Sequence, residues 1–170
     1  MLELLKVYKV SDERIEIDPY IPIDIRWELD NTHDRTLYWR TGDFKKSLLE
    51  LGMSSQGVIR SITLTQTDNY FLDSLESNLI GLSVSSGLPV FNVAKVPENG
   101  FLDEEERFEV HLRDKEVCIK FGKSKNLTSL IQSGRVRFGI DQSGLLSMVA
   151  VVNLTELEYL QLKNTLQSTS

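Results

Sequence analysis

Phe108-Glu109-Val110-His111-Leu112-Arg113-Asp114-Lys115-Glu116-Val117-Cys118-Ile119-Lys120-Phe121 reads as two strands and a turn. Phe108, Val110 and Leu112 alternate with Glu109, His111 and Arg113. Beyond Asp114-Lys115, Val117, Ile119 and Phe121 alternate with Glu116, Cys118 and Lys120. Successive side chains of a strand point to opposite faces, so this period sorts the residues into one apolar and one polar face. The apolar face continues through the turn, which predicts a hairpin packed on one side.

Toward the C-terminus, Gly134 to Ile140 and Leu145 to Val152 form a second predicted hairpin, turned at Asp141-Gln142-Ser143-Gly144. Thr155-Glu156-Leu157-Glu158 is a capping box, with Leu154 placed to staple onto Tyr159. The helix it opens runs from about Glu156 to Leu166. Leu157, Tyr159, Leu160, Leu162 and Leu166 make a broad apolar stripe that is expected to lie on the sheet. Gln167 to Ser170 are expected to form a disordered tail.

Toward the N-terminus, Leu4 to Val10 and Ile15 to Ile17 read as strands, and Pro19 and Pro22 then forbid a long regular element. In Ile23 to Leu29 the residues Ile23, Ile25, Trp27 and Leu29 face one way, and Asp24, Arg26 and Glu28 the other. The polar stretch Asp30 to Asp34 suggests a hairpin with Thr36 to Arg40. Asp43 to Leu51 is either a short helix capped by Asp43 or the first arm of a hairpin pairing Ser47–Gly52 with Val58–Thr65. The hairpin is preferred, because Gly57 suits the turn and a lone short helix is marginal. Asp68 to Leu79 fits a short helix or packed loop, Ser83 to Gly87 a loop, and Leu88 to Val93 the start of a short strand. Pro97 to Glu106 reads as a polar loop. The fold class is α+β: mainly antiparallel hairpins with a C-terminal amphipathic helix packed on the sheet.

The 170 residues suit one domain, expected to span 1–170. Nineteen Lys and Arg against 25 Asp and Glu leave a net charge of −6, which disfavours nucleic acid and suits a basic partner. The single cysteine, Cys118, excludes an internal disulfide and a Cys-based zinc site within one chain. Charges interrupt the apolar start, so no signal peptide is read there, and no run is long enough to span a membrane. The expected location is cytoplasmic. Without secretion, the sequons at Asn126 and Asn153 carry no meaning.

No motif reaches the specificity of a catalytic or metal site. Gly122-Lys123-Ser124 has the end of a phosphate loop, but Val117 stands where the loop's first glycine belongs. Gly81-Leu82-Ser83-Val84-Ser85 lacks the final glycine of a nucleophile elbow. His33 and His111 are the only histidines; each reads as a surface residue, though either suits a relay if a fold places it. Cys118, between Glu116 and Lys120, reads as an inert thiol on a polar face. The sequence is therefore expected to carry no catalytic residue, no cofactor and no metal.

Ser47 to Gly52 followed by Gly57 to Leu64, then Gly134 to Asp141, Leu145 to Val152 and the helix start Asn153 to Glu158, resemble small β-rich immunity proteins of bacterial polymorphic toxin and contact-dependent inhibition systems. The likeness covers about half the chain in style, and no functional residue is carried over from it. It implies a protein without chemistry of its own that binds a cognate toxin domain and blocks it. Candidate partner-binding residues are the acidic run Asp103, Glu104, Glu105 and Glu106, for steering, and Trp39 and Tyr38, as aromatic anchors. Trp27 is assigned to the core. Two other readings stay open: a small enzyme using His33, His111 and nearby carboxylates, and a homo-oligomer joined through sheet edges.

Overall fold

The computed structural model describes residues 1–29, 34–72, 81–113, 115–122 and 126–168. His33, Asp114, Lys123 and Ser124, and most of the stretch expected as a helix or packed loop at 68–79, lie outside them. In chain order the elements are β1 (Leu4–Tyr8), β2 (Glu13–Glu16), β3 (Ile23–Trp27), β4 (Leu37–Thr41), β5 (Leu48–Met53), β6 (Ile59–Gln66), β7 (Tyr70–Leu72) and β8 (Ser83–Ser86). There follow β9 (Leu88–Phe91), β10 (Phe101–Glu104), β11 (Phe108–Arg113), β12 (Glu116–Phe121), β13 (Leu127–Ser133), β14 (Val136–Asp141), β15 (Leu146–Val152) and α1 (Glu156–Ser168).

The strands form a six-stranded sheet in the order β10-β4-β5-β6-β3-β2 and a seven-stranded sheet in the order β7-β11-β12-β15-β14-β13-β8. A small sheet pairs β1 with β9. It ties the larger two together: Leu4 N–H donates to the Gly144 carbonyl and Leu146 N–H, at the start of β15, to the Leu2 carbonyl, while Phe91 N–H donates to the Gly57 carbonyl beside β6. The two large sheets pack face to face. Trp27 meets Phe138 at 5.9 Å between ring centroids, and Trp39 meets Phe121 edge-on at 5.6 Å. The Trp27 indole N–H reaches Ser133 Oγ at 3.2 Å, so its polar end is satisfied inside the core. One buried apolar cluster takes in inward residues of both sheets together with Leu162 and Leu166 of α1.

Several expectations hold. β11 and β12 pair in register from Phe108↔Phe121 to Arg113↔Glu116, and β14 pairs antiparallel with β15. β5 and β6 pair antiparallel, so the hairpin reading holds, with its first strand at Leu48–Met53. Asp43 accepts the amide N–H groups of Lys45, Lys46 and Ser47 and closes a tight turn where a helix was the alternative. Gly57 has φ +85°, and a Cβ there would sit 1.9 Å from the Phe91 carbonyl oxygen. The capping box closes in both directions: Thr155 N–H donates to Glu158 Oε2 at 2.8 Å, and Glu158 N–H to Thr155 Oγ1 at 3.2 Å.

Others are corrected. The sheets are mixed, because β10 runs parallel to β4, β7 to β11 and β8 to β13. Ile23–Trp27 and Leu37–Thr41 are not a hairpin: β3 pairs with β2 and β6, and β4 with β5 and β10. Alternation assigns a strand's faces but not its neighbours, and every strand of two stacked sheets shows the same pattern. Ser83–Ser86 and Tyr70–Leu72 are edge strands, and Phe101–Glu104 is a strand within the expected loop. The helix continues through Ser168, two residues into the expected tail. Its buried face is narrower than the apolar stripe: Leu162, Thr165 and Leu166 are buried, whereas Leu157 is 73% and Leu160 47% exposed. Cys118 is buried, not on a solvated face, packed with Leu130, Met148 and Ala150 in a second cluster on the far side of the seven-stranded sheet.

Candidate functional site: the outward face of the six-stranded sheet

The inward residues of this sheet fill the core, so its chemistry lies on the other face. Register places that face in two rungs crossing all six strands. One runs Asp103, Arg40, Glu50, Thr63, Asp24, Glu16. The next runs Phe101, Tyr38, Gly52, Ser61, Arg26, Arg14. The first rung is predominantly acidic, and the second passes from aromatic at one edge to basic at the other. A cleft of about 1050 Å³ opens here, lined among others by Arg14, Arg26, Tyr38, Glu50, Ser61 and Thr63.

Most charges on the face are neutralised locally. Asp24, largely buried, accepts from Arg26 Nε at 2.8 Å and from Thr63 Oγ1 at 2.9 Å. Arg14 pairs with Glu16 on β2. Arg40 forks onto Asp103, with Nε and Nη2 at 2.7 and 2.8 Å from the two carboxylate oxygens, which raises the arginine's pKa. The same guanidinium lies 4.5 Å from the centroid of Phe101, which in turn stacks on Tyr38 at 5.4 Å. At the rim, Ser55 donates to Asp34 and Arg60 pairs with it, holding this carboxyl at about 2.

Glu50 departs from the pattern. On β2 and β3, the carboxylate of the acidic rung is met by an arginine two residues along the same strand in the next rung. On β5 that position is Gly52, which has no side chain. The side chains of Ser61, Thr36 and Tyr38 crowd the space above it, Ser61 Oγ lying 2.4 Å and Tyr38 Cε1 3.2 Å from where a Cβ would sit. Glu50 is half-buried, and partial burial pushes its carboxyl up, opposed by the charge of Arg40.

The expected partner-binding residues fall differently. Trp39 is 1% exposed and belongs to the core; its indole N–H donates to Glu104 Oε2 at 2.7 Å. Glu104 also pairs with the Met1 amino group, and together these bonds outweigh burial and lower its pKa. Asp103 is on the face but engaged by Arg40. Glu105 is exposed, and Glu106 is partly covered, its carbonyl accepting from Thr41 Oγ1 at 3.2 Å. Tyr38 stands on the cleft wall. Glu50, Thr63, Arg26 and Arg14 were not singled out in the sequence. Their shared signal is the outward half of each period-two pattern, which becomes a surface only once the strand order is known.

Elsewhere, His111 lies on the far side of the other sheet, 3.1 Å from Glu109 through Nε2 and stacked on Phe71 at 4.9 Å. Burial pushes the Cys118 thiol up to about 12, so it is a packing residue. No group of three or more His, Cys, Asp or Glu among the described residues is placed to hold a metal ion. No described helix is long and apolar enough to cross a membrane. No protein-family model matches the chain, and no curated protein matches it either.

Proposed function

We propose that the protein is a non-catalytic binding protein whose outward six-stranded face receives another protein, and that it serves as an immunity protein that blocks a basic bacterial toxin domain. The observation that carries the reading is the pair of rungs. They offer a broad, rigid surface with aromatic rings at one edge, arginines at the other and carboxylates between. Aromatic and arginine side chains are the groups that dominate binding energy at protein interfaces. A sheet holds them at fixed spacing, so little conformational freedom remains to be lost on association. The net charge of −6 favours encounter with a basic partner.

The test is co-expression with the product of the adjacent gene, where that product carries a toxin-like domain. Relief of growth arrest and a stable complex on size exclusion are expected. Continued arrest with no complex overturns the immunity reading.

A homo-oligomer is a second reading, favoured by β1: Leu5 is 58%, Val7 37% and Tyr8 40% exposed on a strand paired only with β9 among the named strands. Sedimentation equilibrium separates the two, since a monomer at micromolar concentration removes the second.

A further inference from the structure

We propose that Glu50 is the anchor socket of this face and receives an arginine side chain from the bound protein. The proposal rests on the binding role just given, and names the chemistry of the partner's key residue. Three features of the face converge on it.

First, Glu50 is the exception to its own rung. Asp24, Glu16 and Asp103 each have an arginine bonded to them. None of the described hydrogen bonds reaches the Glu50 carboxylate. Its cross-strand neighbour Arg40 has its fork turned onto Asp103. Gly52, in the position where β2 and β3 carry arginine, supplies no cation.

Second, the carboxylate lines the open cleft beside Thr63, Ser61 and Tyr38, within reach of an incoming group. A half-buried carboxylate lacking a bonded cation is better matched by a charge brought from outside than by water.

Third, the surroundings suit a guanidinium more than an ammonium. A planar fork can take both carboxylate oxygens while its face lies against a ring. The chain already builds that arrangement once, where Arg40 lies over Phe101 and forks onto Asp103. Glu50 and Tyr38 offer a second carboxylate and a second ring on the adjacent strands; the charge of Arg40 acts on Glu50, but its fork is committed to Asp103, and no described guanidinium bonds the Glu50 carboxylate.

The experiment uses the intact protein and two small probes, Nα-acetyl-arginine N-methylamide and its citrulline analogue, which has the same shape but no charge. Amide and side-chain NMR shifts are followed on titration. The arginine probe should move the resonances of Glu50, Thr63 and Tyr38 and lower the titration midpoint of the Glu50 carboxyl; the citrulline probe should not. Glu50→Gln keeps the shape and should weaken the arginine probe about tenfold, the loss expected for one charged hydrogen-bonded contact. Equal responses to the two probes, or an arginine response unchanged in Glu50→Gln with the spectrum otherwise native, overturn the socket. Because the probes need no protein partner, this outcome is independent of the co-expression test. A working socket without a toxin complex removes only the immunity reading, and a complex indifferent to Glu50→Gln removes only the socket.

Discussion

At Glu50 and Gly57 single side chains, or the lack of one, decide the local energetics. The Glu50 carboxyl lies above its ordinary value of 4.5 because burial disfavours its charge. A carboxyl with a raised folded pKa holds more protons folded than unfolded, so its contribution to stability falls as the pH climbs from 4.5 through the folded value. Glu50→Gln should therefore melt higher than the parent at pH 7 and level with it near pH 3, where both carry no charge there. Parallel thermal melts at the two pH values check this. Gly57→Ala works in the opposite direction. The added methyl meets the Phe91 carbonyl at 1.9 Å in a backbone conformation with φ +85°. It should cost more than about 2 kcal/mol, read from the urea midpoint.

The C-terminal helix shows what an element's sequence does and does not reveal. Its start was legible to the residue, because a capping box is a local bond pattern between Thr155 and Glu158. Its buried side was not, because five apolar residues out of eleven leave the docking angle open. The structure selects Leu162 and Leu166, with Thr165 Oγ1 held 3.3 Å from the Asp18 carbonyl and Arg135 bonded to Glu158 at 2.9 Å. Leu162→Ala should cost about 2–5 kcal/mol by leaving a cavity, while Leu160→Ala costs less than about 1 kcal/mol. Chemical denaturation of the pair distinguishes this docking from one centred on Leu160. The Arg135 bond, foremost, lowers the Glu158 carboxyl below its ordinary value of 4.5. A group with a depressed folded pKa stabilises above its unfolded value and loses that contribution as the pH falls through the folded one. Helix docking should thus weaken below about pH 4.5 in the parent, and this part of the acid sensitivity should vanish in Glu158→Gln.

Over the whole molecule, local hairpins were readable and long-range neighbours were not. The pairs 108–121, 134–152 and 47–65 declared themselves through alternation broken by short turns. The strand order β10-β4-β5-β6-β3-β2 did not, because Phe101–Glu104 lies beside Leu37–Thr41 with no local signal linking them. The candidate face was hidden for the same reason: Glu50 stands out only when Arg26 and Arg14 are known to lie on neighbouring strands of one surface. The two tryptophans offer a probe at this scale. Trp27 and Trp39 both lie between the sheets, 4% and 1% exposed. Their fluorescence should be blue-shifted and should change in the same urea transition as the far-ultraviolet circular dichroism. Separate midpoints would show that the sheets part before they unfold.

The face-to-face contact of the sheets also bears on how the chain is made. When a ribosome has released only the stretch through Glu104, every strand of the six-stranded sheet has emerged, but Phe121 and Phe138, against which Trp39 and Trp27 pack, have not. Until they arrive, Ile25, Trp27, Trp39, Leu51 and Ile62 stand as a bare apolar wall, the kind of surface on which nascent chains stick to one another or recruit chaperones. A stop codon soon after Glu104 would thus leave a product prone to aggregate.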